Sequence, residues 1–224
     1  MTVTGNVYVV RHGERIDFVD DKWKDTAEFG DDPFLTPIGH KQAEALALRL
    51  KDSGISQIFC SPFLRVMQTA HAVAVLLNVP LKIEYGVCEW LNKNWFDTFP
   101  KLIFETESIE DVKAKFPKLD IEYKTFYRPT FPERYNDVQK RAQETASHVV
   151  KEYCVKRGET ILFAGHGATV EAFVSAVLGR KINGEPTYTA LSKLVPISDT
   201  LSWKAEYIND ETHTRGIKST STLN

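Results

Sequence analysis

Apolar residues along this chain come in short β-branched runs that alternate with stretches spaced at three and four positions. Val7-Tyr8-Val9-Val10 is a run of β-formers and reads as a first buried strand. Similar runs recur at Ile55 to Cys60, Leu81 to Glu84 and Thr160 to Ala164. Between them the period changes. Ala43, Leu46, Ala47 and Leu50 share one helical face, behind an N-cap Thr36 and a first-turn Pro37, and Gly54 ends that helix. Val66, Ala70, Val73 and Leu77 form the face of a helix opened by Ser61-Pro62. Asn136 caps a long helix that runs to about Lys156 and stops at Gly158. Ala168 to Leu178 is a further helix ended by Gly179, and Lys193 to Ile197 and Thr200 to Ile208 read as a closing hairpin.

Two stretches break this rhythm. Ile16 to Phe34 carries Asp17, Asp20, Asp21, Asp25, Asp31 and Asp32 and reads as a loop. Tyr85 to Tyr135 holds 12 of the chain's 25 aromatic residues but little periodicity. It reads as an insertion, about residues 85–135, packed over the sheet edge with one short helix near Ser108 to Lys115. Residues 1–209 form one domain on this reading, and 210–224 a polar, mobile tail. Strand-helix alternation predicts an α/β fold, a mostly parallel central sheet with helices on both faces.

Charge narrows the function. Lys and Arg total 28 against 30 Asp and Glu, a net charge of -2, which points to neither nucleic-acid nor membrane partners. No apolar run reaches the length of a membrane span, and the first residues show no signal peptide. Cys60, Cys88 and Cys154 have no metal or redox spacing, and no Asn-x-Ser/Thr acceptor occurs. These features suit a reducing, cytoplasmic setting.

The chemistry gathers at strand ends, where open α/β sheets bind their ligands. The first strand runs into Arg11-His12-Gly13-Glu14-Arg15, with Gly13 read as freeing a sharp turn. Arginine forks match phosphate oxygens, and an unprotonated histidine is a nucleophile. His166 lies between Gly165 and Gly167 after the fourth strand, and Arg65 sits in the first turn of the helix after the second. The topology therefore lets Arg11, Arg15, Arg65, His12 and His166 meet at one mouth. The backbone N–H groups of Gly167 and Ala168 open a helix and favour an anion. Glu89, beside the desolvating Trp90, is the candidate general acid, with Glu84 and Glu105 as rivals. No metal site is expected, because three arginines repel a cation at His12 and His166, and no cofactor is called for. His40, His71, His148 and His213 read as surface or packing residues, and Cys60 as a buried strand-end thiol.

These motifs resemble those of the histidine phosphatase superfamily, with its phosphoglycerate-mutase-like fold. Its Arg-His-Gly is Arg11-His12-Gly13. Leu35-Thr36-Pro37-Ile38-Gly39 with Gln42-Ala43, Ser61-Pro62-Phe63-Leu64-Arg65-Val66-Met67-Gln68-Thr69-Ala70, and Gly165-His166-Gly167 follow in the family's order. The extended Arg-His-Gly-Glu-Arg and the Glu89-Trp90 pair are most similar to the phosphatase domain of the Sts/TULA (ubiquitin-associated and SH3 domain-containing) proteins and to ecdysteroid-phosphate phosphatases. The resemblance implies a phosphatase acting on phosphate monoesters, with His12 carrying the phosphoryl group. It also implies phosphate binding by Arg11, Arg15, Arg65 and His166, and proton donation by Glu89. Its substrate would be a phosphorylated small molecule or phosphoprotein, such as phosphotyrosine or a steroid or aryl phosphate. A homodimer stays open. A phosphoglycerate mutase or sugar bisphosphatase is the first alternative, although the mutase-type Glu-x-x-x-Gly-x-x-Glu-Gly run is missing. A catalytically weak phospho-ligand-binding module is the second.

Overall fold

Alternation within one strand sets up two layers. In β1 (Val7–Arg11), Val7 and Val9 face one apolar cluster while Tyr8 and Val10 face the other. The computed structural model describes residues 5–198 and 200–220. In chain order β1 is followed by α1 (Trp23–Thr26), α2 (Pro37–Arg49), β2 (Ile55–Cys60), α3 (Leu64–Leu77) and β3 (Leu81–Ile83). Then come α4 (Ile103–Thr106), α5 (Ile109–Lys115), α6 (Tyr135–Val149), β4 (Thr160–Gly165), α7 (Gly167–Leu178), β5 (Leu191–Pro196) and β6 (Trp203–Asp210). The sheet order is β3-β2-β4-β1-β5-β6. The first four strands are parallel; β5 runs antiparallel to β1, and β6 to β5. The expected α/β architecture and closing hairpin are both present.

Helices α2 and α3 cover the Tyr8 and Val10 face, and α6 and α7 cover the Val7 and Val9 face. Thr36 caps α2 as expected, its hydroxyl accepting the Gly39 N–H at 3.0 Å. The start of α6 differs from expectation. Asn136 lies inside the first turn, and it is the Asp137 carboxylate that accepts the Arg134 N–H at 2.8 Å. Past Val149 the helix widens into a π-type turn through Val155, and Gly158 ends it with φ +69°.

Two irregular stretches acquire structure from distant partners. The acidic segment, expected as a loop, holds a 3₁₀ turn at Ile16–Phe18 and the short helix α1. Within it Asp32 is buried, its carboxylate accepting the Leu64 N–H at 2.7 Å and the Ile103 N–H at 3.1 Å. The aromatic segment runs beside the edge strand β3, where the Leu81 N–H donates to the Lys118 carbonyl and its carbonyl accepts the Asp120 N–H. That covers an edge which would otherwise offer unpaired backbone groups. The segment holds α4 as well as the expected α5, which Ser108 caps. The polar stretch after β6, expected as a mobile tail, instead folds back through a turn at Thr212–Thr214 and reaches the β1 loop. Residues 221–224 of that expected tail lie outside the described residues.

Cys60, Cys88 and Cys154 are buried free thiols. Burial raises all three pKa values, those of Cys88 and Cys154 to about 12. No helix among the described residues is long and apolar enough to cross a membrane.

Candidate active site

Strand register brings the two histidines together. Arg11 pairs with Gly165 across the parallel β1–β4 ladder, so His12 and His166 both follow at the carboxyl edge. The His12 N–H donates to the Gly165 carbonyl at 3.0 Å, and the Ser61 N–H to the Ala164 carbonyl at 3.1 Å. The ends of three adjacent strands thus meet, and the His12 and His166 rings lie edge to face with centroids 5.4 Å apart. Arg65, on the first turn of α3, reaches the same point and is buried.

The loop after β1 is held by polar residues of the next two helices. Gly13 N–H donates to Thr69 Oγ1, Glu14 N–H to Gln42 Oε1, and Leu35 N–H to Gln68 Oε1. These motif residues shape the loop, and Gln42 also lines the cleft. Gly13 was read as freeing a sharp turn, and its φ lies outside the left-handed region. Its role is closeness: a Cβ there would lie 2.7 Å from the Gly39 carbonyl oxygen, and one on Gly39 would lie 2.2 Å from that of Glu14. Only two glycines let this loop touch α2.

The His12 ring is fixed by one of its nitrogens. Its Nδ1 lies 2.7 Å from the Gly13 carbonyl oxygen. A carbonyl only accepts, so Nδ1 carries the proton and Nε2 keeps its lone pair. Burial, then the charges of Arg65 and Arg11, push the His12 pKa well below 6.5, so the ring is neutral at pH 7. His166 is committed differently. Its Nε2 meets Ser61 Oγ at 2.8 Å, and its Nδ1 lies 3.1 Å from Arg65 Nη2 and 3.2 Å from Glu89 Oε2. Burial takes its pKa down to about 4, although Glu89 opposes the shift. Both its ring nitrogens are occupied, so His166 is no rival nucleophile.

The guanidinium groups differ in readiness. Arg65 Nη2 donates to Glu89 Oε2 at 3.3 Å, while its Nε and Nη1 are buried without a hydrogen-bond partner. Burial lowers its pKa to about 10, which still leaves it charged. Unpaired buried donors of this kind are costly unless a ligand completes them. Arg11 Nη1 donates to the Pro186 carbonyl at 2.6 Å, stacks 5.0 Å over the Tyr188 ring and leaves Nε unpaired. Arg15 lines the same cleft, but its fork is taken by both oxygens of Asp17. Gly167 and Ala168 line the cleft at the start of α7, where the first N–H groups have no intrahelical acceptor.

Glu89 lines this cleft, whereas Glu84 and Glu105 do not. Glu84 is buried under five donors, from Gly86, Tyr123, Thr125, Phe126 and Tyr127, and Glu105 accepts from Tyr85 and Arg128. Burial favours the neutral form of Glu89, but His166, Arg65 and the Trp90 N–H outweigh it and hold the carboxyl below the usual range. The resting site therefore carries an ionised Glu89. A phosphate dianion that takes Arg65 reverses that balance, because it removes the neighbouring cation and adds a like charge.

Several contributors were invisible in the sequence reading. Ser61 holds His166. Glu14 is buried, with its carboxylate accepting from Thr36 Oγ1 and from the Ser219 and Thr220 hydroxyls and the Thr220 N–H. Glu14 is a charge inside the recognised motif, and that is the signal that could have singled it out. Arg141 is fully buried and uses both faces of its fork on Glu133, at 2.8 Å each. Its remaining N–H groups reach the carbonyls of Gly86, Cys88 and Glu89, so it templates the segment that presents Glu89. Arg141→Met should cost about 3–5 kcal/mol in chemical denaturation, because it strands the buried Glu133 carboxylate. Adding Glu133→Gln should recover part of that loss.

Arg11, Arg15, Arg65, Glu89, Gly167 and Ala168 line a cleft of about 1060 Å³, while His12 and His166 are buried and are not among its lining residues. Its floor carries Arg11, Arg65 and Glu89; its walls include Phe18, Trp90, Trp95 and Tyr135. His40, His71, His148 and His213 lie outside it. Among the described residues no group of three or more His, Cys, Asp or Glu could hold a metal ion.

Comparison with known proteins follows this geometry. The family described as the histidine phosphatase superfamily (branch 1) matches residues 7–210. Human ubiquitin-associated and SH3 domain-containing protein A is 28% identical over 78% of this chain and 31% of its own length. The ecdysteroid-phosphate phosphatase of Bombyx mori is 27% identical over 76% of this chain and 30% of its own. The chain thus spans about a third of the length of these curated relatives. Among solved structures, the silkworm ecdysone phosphate phosphatase in complex with tungstate superposes with a TM-score of 0.72 at 22% identity, covering 92% of this chain and 93% of that one. A mycobacterial glucosyl-3-phosphoglycerate phosphatase reaches a TM-score of 0.64 at 17% identity, covering 92% of this chain and all of that one. These two share the fold.

Proposed function

Because the chain belongs to the histidine phosphatase superfamily, we propose that it hydrolyses phosphate monoesters through a phosphohistidine on His12. The observation that carries this reading is the commitment of His12 Nδ1–H to the Gly13 carbonyl, which leaves a neutral ring with a free Nε2 beside unpaired guanidinium donors. Nε2 attacks phosphorus, and the phosphorus–ester oxygen bond breaks. Arg11, Arg65, His166 and the first N–H groups of α7 take the charge of the transferring group. Arg15 joins them once Asp17 releases it. Glu89, protonated when the dianion binds, gives its proton to the departing alkoxide. It then accepts one from the water that attacks the phosphohistidine, so that phosphate leaves and His12 and Glu89 are restored. No metal or cofactor enters this scheme. A cytoplasmic, reducing setting belongs to the same proposal and is supported by the three free, buried thiols.

Phosphate release measured across phosphotyrosine peptides, a steroid phosphate and small-metabolite phosphates tests the reading. Turnover of at least one class is expected, and tight binding without release would favour the binding-module alternative. Glu89→Gln separates acid catalysis from phosphate binding. Single-turnover phosphorylation by an alkyl phosphate should slow by about 10²-fold or more. With p-nitrophenyl phosphate, whose leaving group hardly needs a proton, the loss should be far smaller. Equal losses on both would remove Glu89 from the acid role.

A further inference from the structure

The wall of the cleft next to Glu89 is aromatic and carries unbalanced negative charge. The Trp90 backbone N–H donates to Glu89 Oε1 at 2.9 Å while its indole N–H donates to the Glu133 carbonyl at 3.0 Å, and Trp90 and Glu89 line the cleft side by side in sequence. Trp90 packs edge-on against Trp95 with centroids 5.2 Å apart, and against Tyr135 at 5.4 Å. Glu171 lines the same cleft, one turn along α7 from Ala168. Its charge is felt at Tyr135, where burial first and Glu171 second raise the phenol pKa.

The charges around the mouth can be paired off. Arg11 faces Glu185 at 3.7 Å, Arg15 faces Asp17, Lys24 faces Asp31 at 2.9 Å and Arg65 faces Glu89 at 3.3 Å. Every cation lining the cleft is thereby matched. Glu171 and Glu211 also line it and have no cationic partner among the described residues. When a phosphate dianion takes Arg11 and Arg65, Glu185 loses its partner too. The surface around the leaving group is then net negative, with three aromatic rings presented to it.

Resting on the phosphatase reading above, we propose that the preferred substrate carries an ammonium group on its alcohol portion, held by Trp90, Trp95, Tyr135 and Glu171. The negative faces of aromatic rings attract a cation, and a nearby carboxylate adds to that attraction. An uncharged aryl group would use the rings and leave Glu171 uncompensated. A second phosphate would be repelled, which sets this site against bisphosphates. Because the ring wall adjoins Glu89, the spacer between ester oxygen and nitrogen is a short alkyl chain.

A matched pair of esters tests this on the full chain. Phosphocholine and dimethylbutyl phosphate, in which carbon replaces the quaternary nitrogen, share shape and leaving-group type and differ in one charge. The expected kcat/KM ratio is roughly tenfold or more in favour of the cation. Glu171→Gln and Trp95→Ala should each narrow that ratio to about threefold or less. A ratio near one, with p-nitrophenyl phosphate still hydrolysed, overturns the inference and leaves the phosphatase reading standing. A large ratio that neither substitution changes overturns the assignment to this wall. If none of the three esters is hydrolysed, the phosphatase reading fails and the inference falls with it.

Discussion

His12→Ala should lower turnover by about 10⁴-fold or more and leave the fold intact, a loss of the size seen when a nucleophile is removed. The expectation follows from the occupancy of the ring nitrogens. His166 has both of its nitrogens engaged, by Ser61 on one side and by Arg65 and Glu89 on the other. Only His12 keeps a nitrogen free to bond phosphorus. Quench of the native enzyme on a labelled substrate in alkaline detergent should trap a phosphoenzyme whose N–P bond survives base and is lost in acid. Phosphoserine and acyl phosphate behave differently. His12→Ala should trap none. An alanine variant with ordinary turnover, or a phosphoenzyme stable in acid, would sink the mechanism.

The second large effect belongs to Arg65. Removing one donor aimed at developing charge costs about 10²–10³-fold, and Arg65→Ala should reach at least that range on alkyl and aryl esters alike. Two of its nitrogens lie buried and unpaired, so on the proposed mechanism a phosphoryl group would complete its hydrogen bonding. Arg65→Lys keeps a charge but loses the planar fork and should recover only part of the rate. The substitution also acts on Glu89. Without the cation at 3.3 Å, one of the influences that hold this carboxyl down is lost, and the Glu89 pKa moves up. Because Glu89 must carry a proton to donate it, the alkaline limb of kcat/KM should move up with it. A loss confined to alkyl esters would show instead that Arg65 works mainly through Glu89.

Local pattern made much of this legible. β1 is four apolar residues followed by chemistry, and strand-helix alternation predicts the parallel sheet that puts His12 and His166 at carboxyl ends. The β1–β4 register that aligns them appears only in the fold. The hidden parts depend on contacts between distant positions. Arg141 orders the carbonyls of Gly86, Cys88 and Glu89 from more than fifty residues away, and a mid-helix arginine looks like an ordinary solvated one. Asp32 is one of six acids in a loop, and only the fold shows that it stitches α3 to the insertion. Gly13 was recognised, but for a turn; the need is contact with Gly39, which a single-residue view does not reveal. The aromatic insertion had no period to read. Its rings divide between the core, as Phe104 and Phe116 do, and the cleft wall, as Trp90 and Trp95 do.

Burial of the three thiols sets how this site meets oxidants. Peroxide and alkylating agents attack the thiolate rather than the thiol. With Cys88 and Cys154 raised to about 12 and Cys60 raised as well, almost none is ionised at neutral pH, and none is accessible. In the proposed mechanism the attacking group is the His12 imidazole, which has no such vulnerability. On that mechanism, peroxide at a level that silences thiol-dependent phosphatases should leave turnover by this chain unchanged.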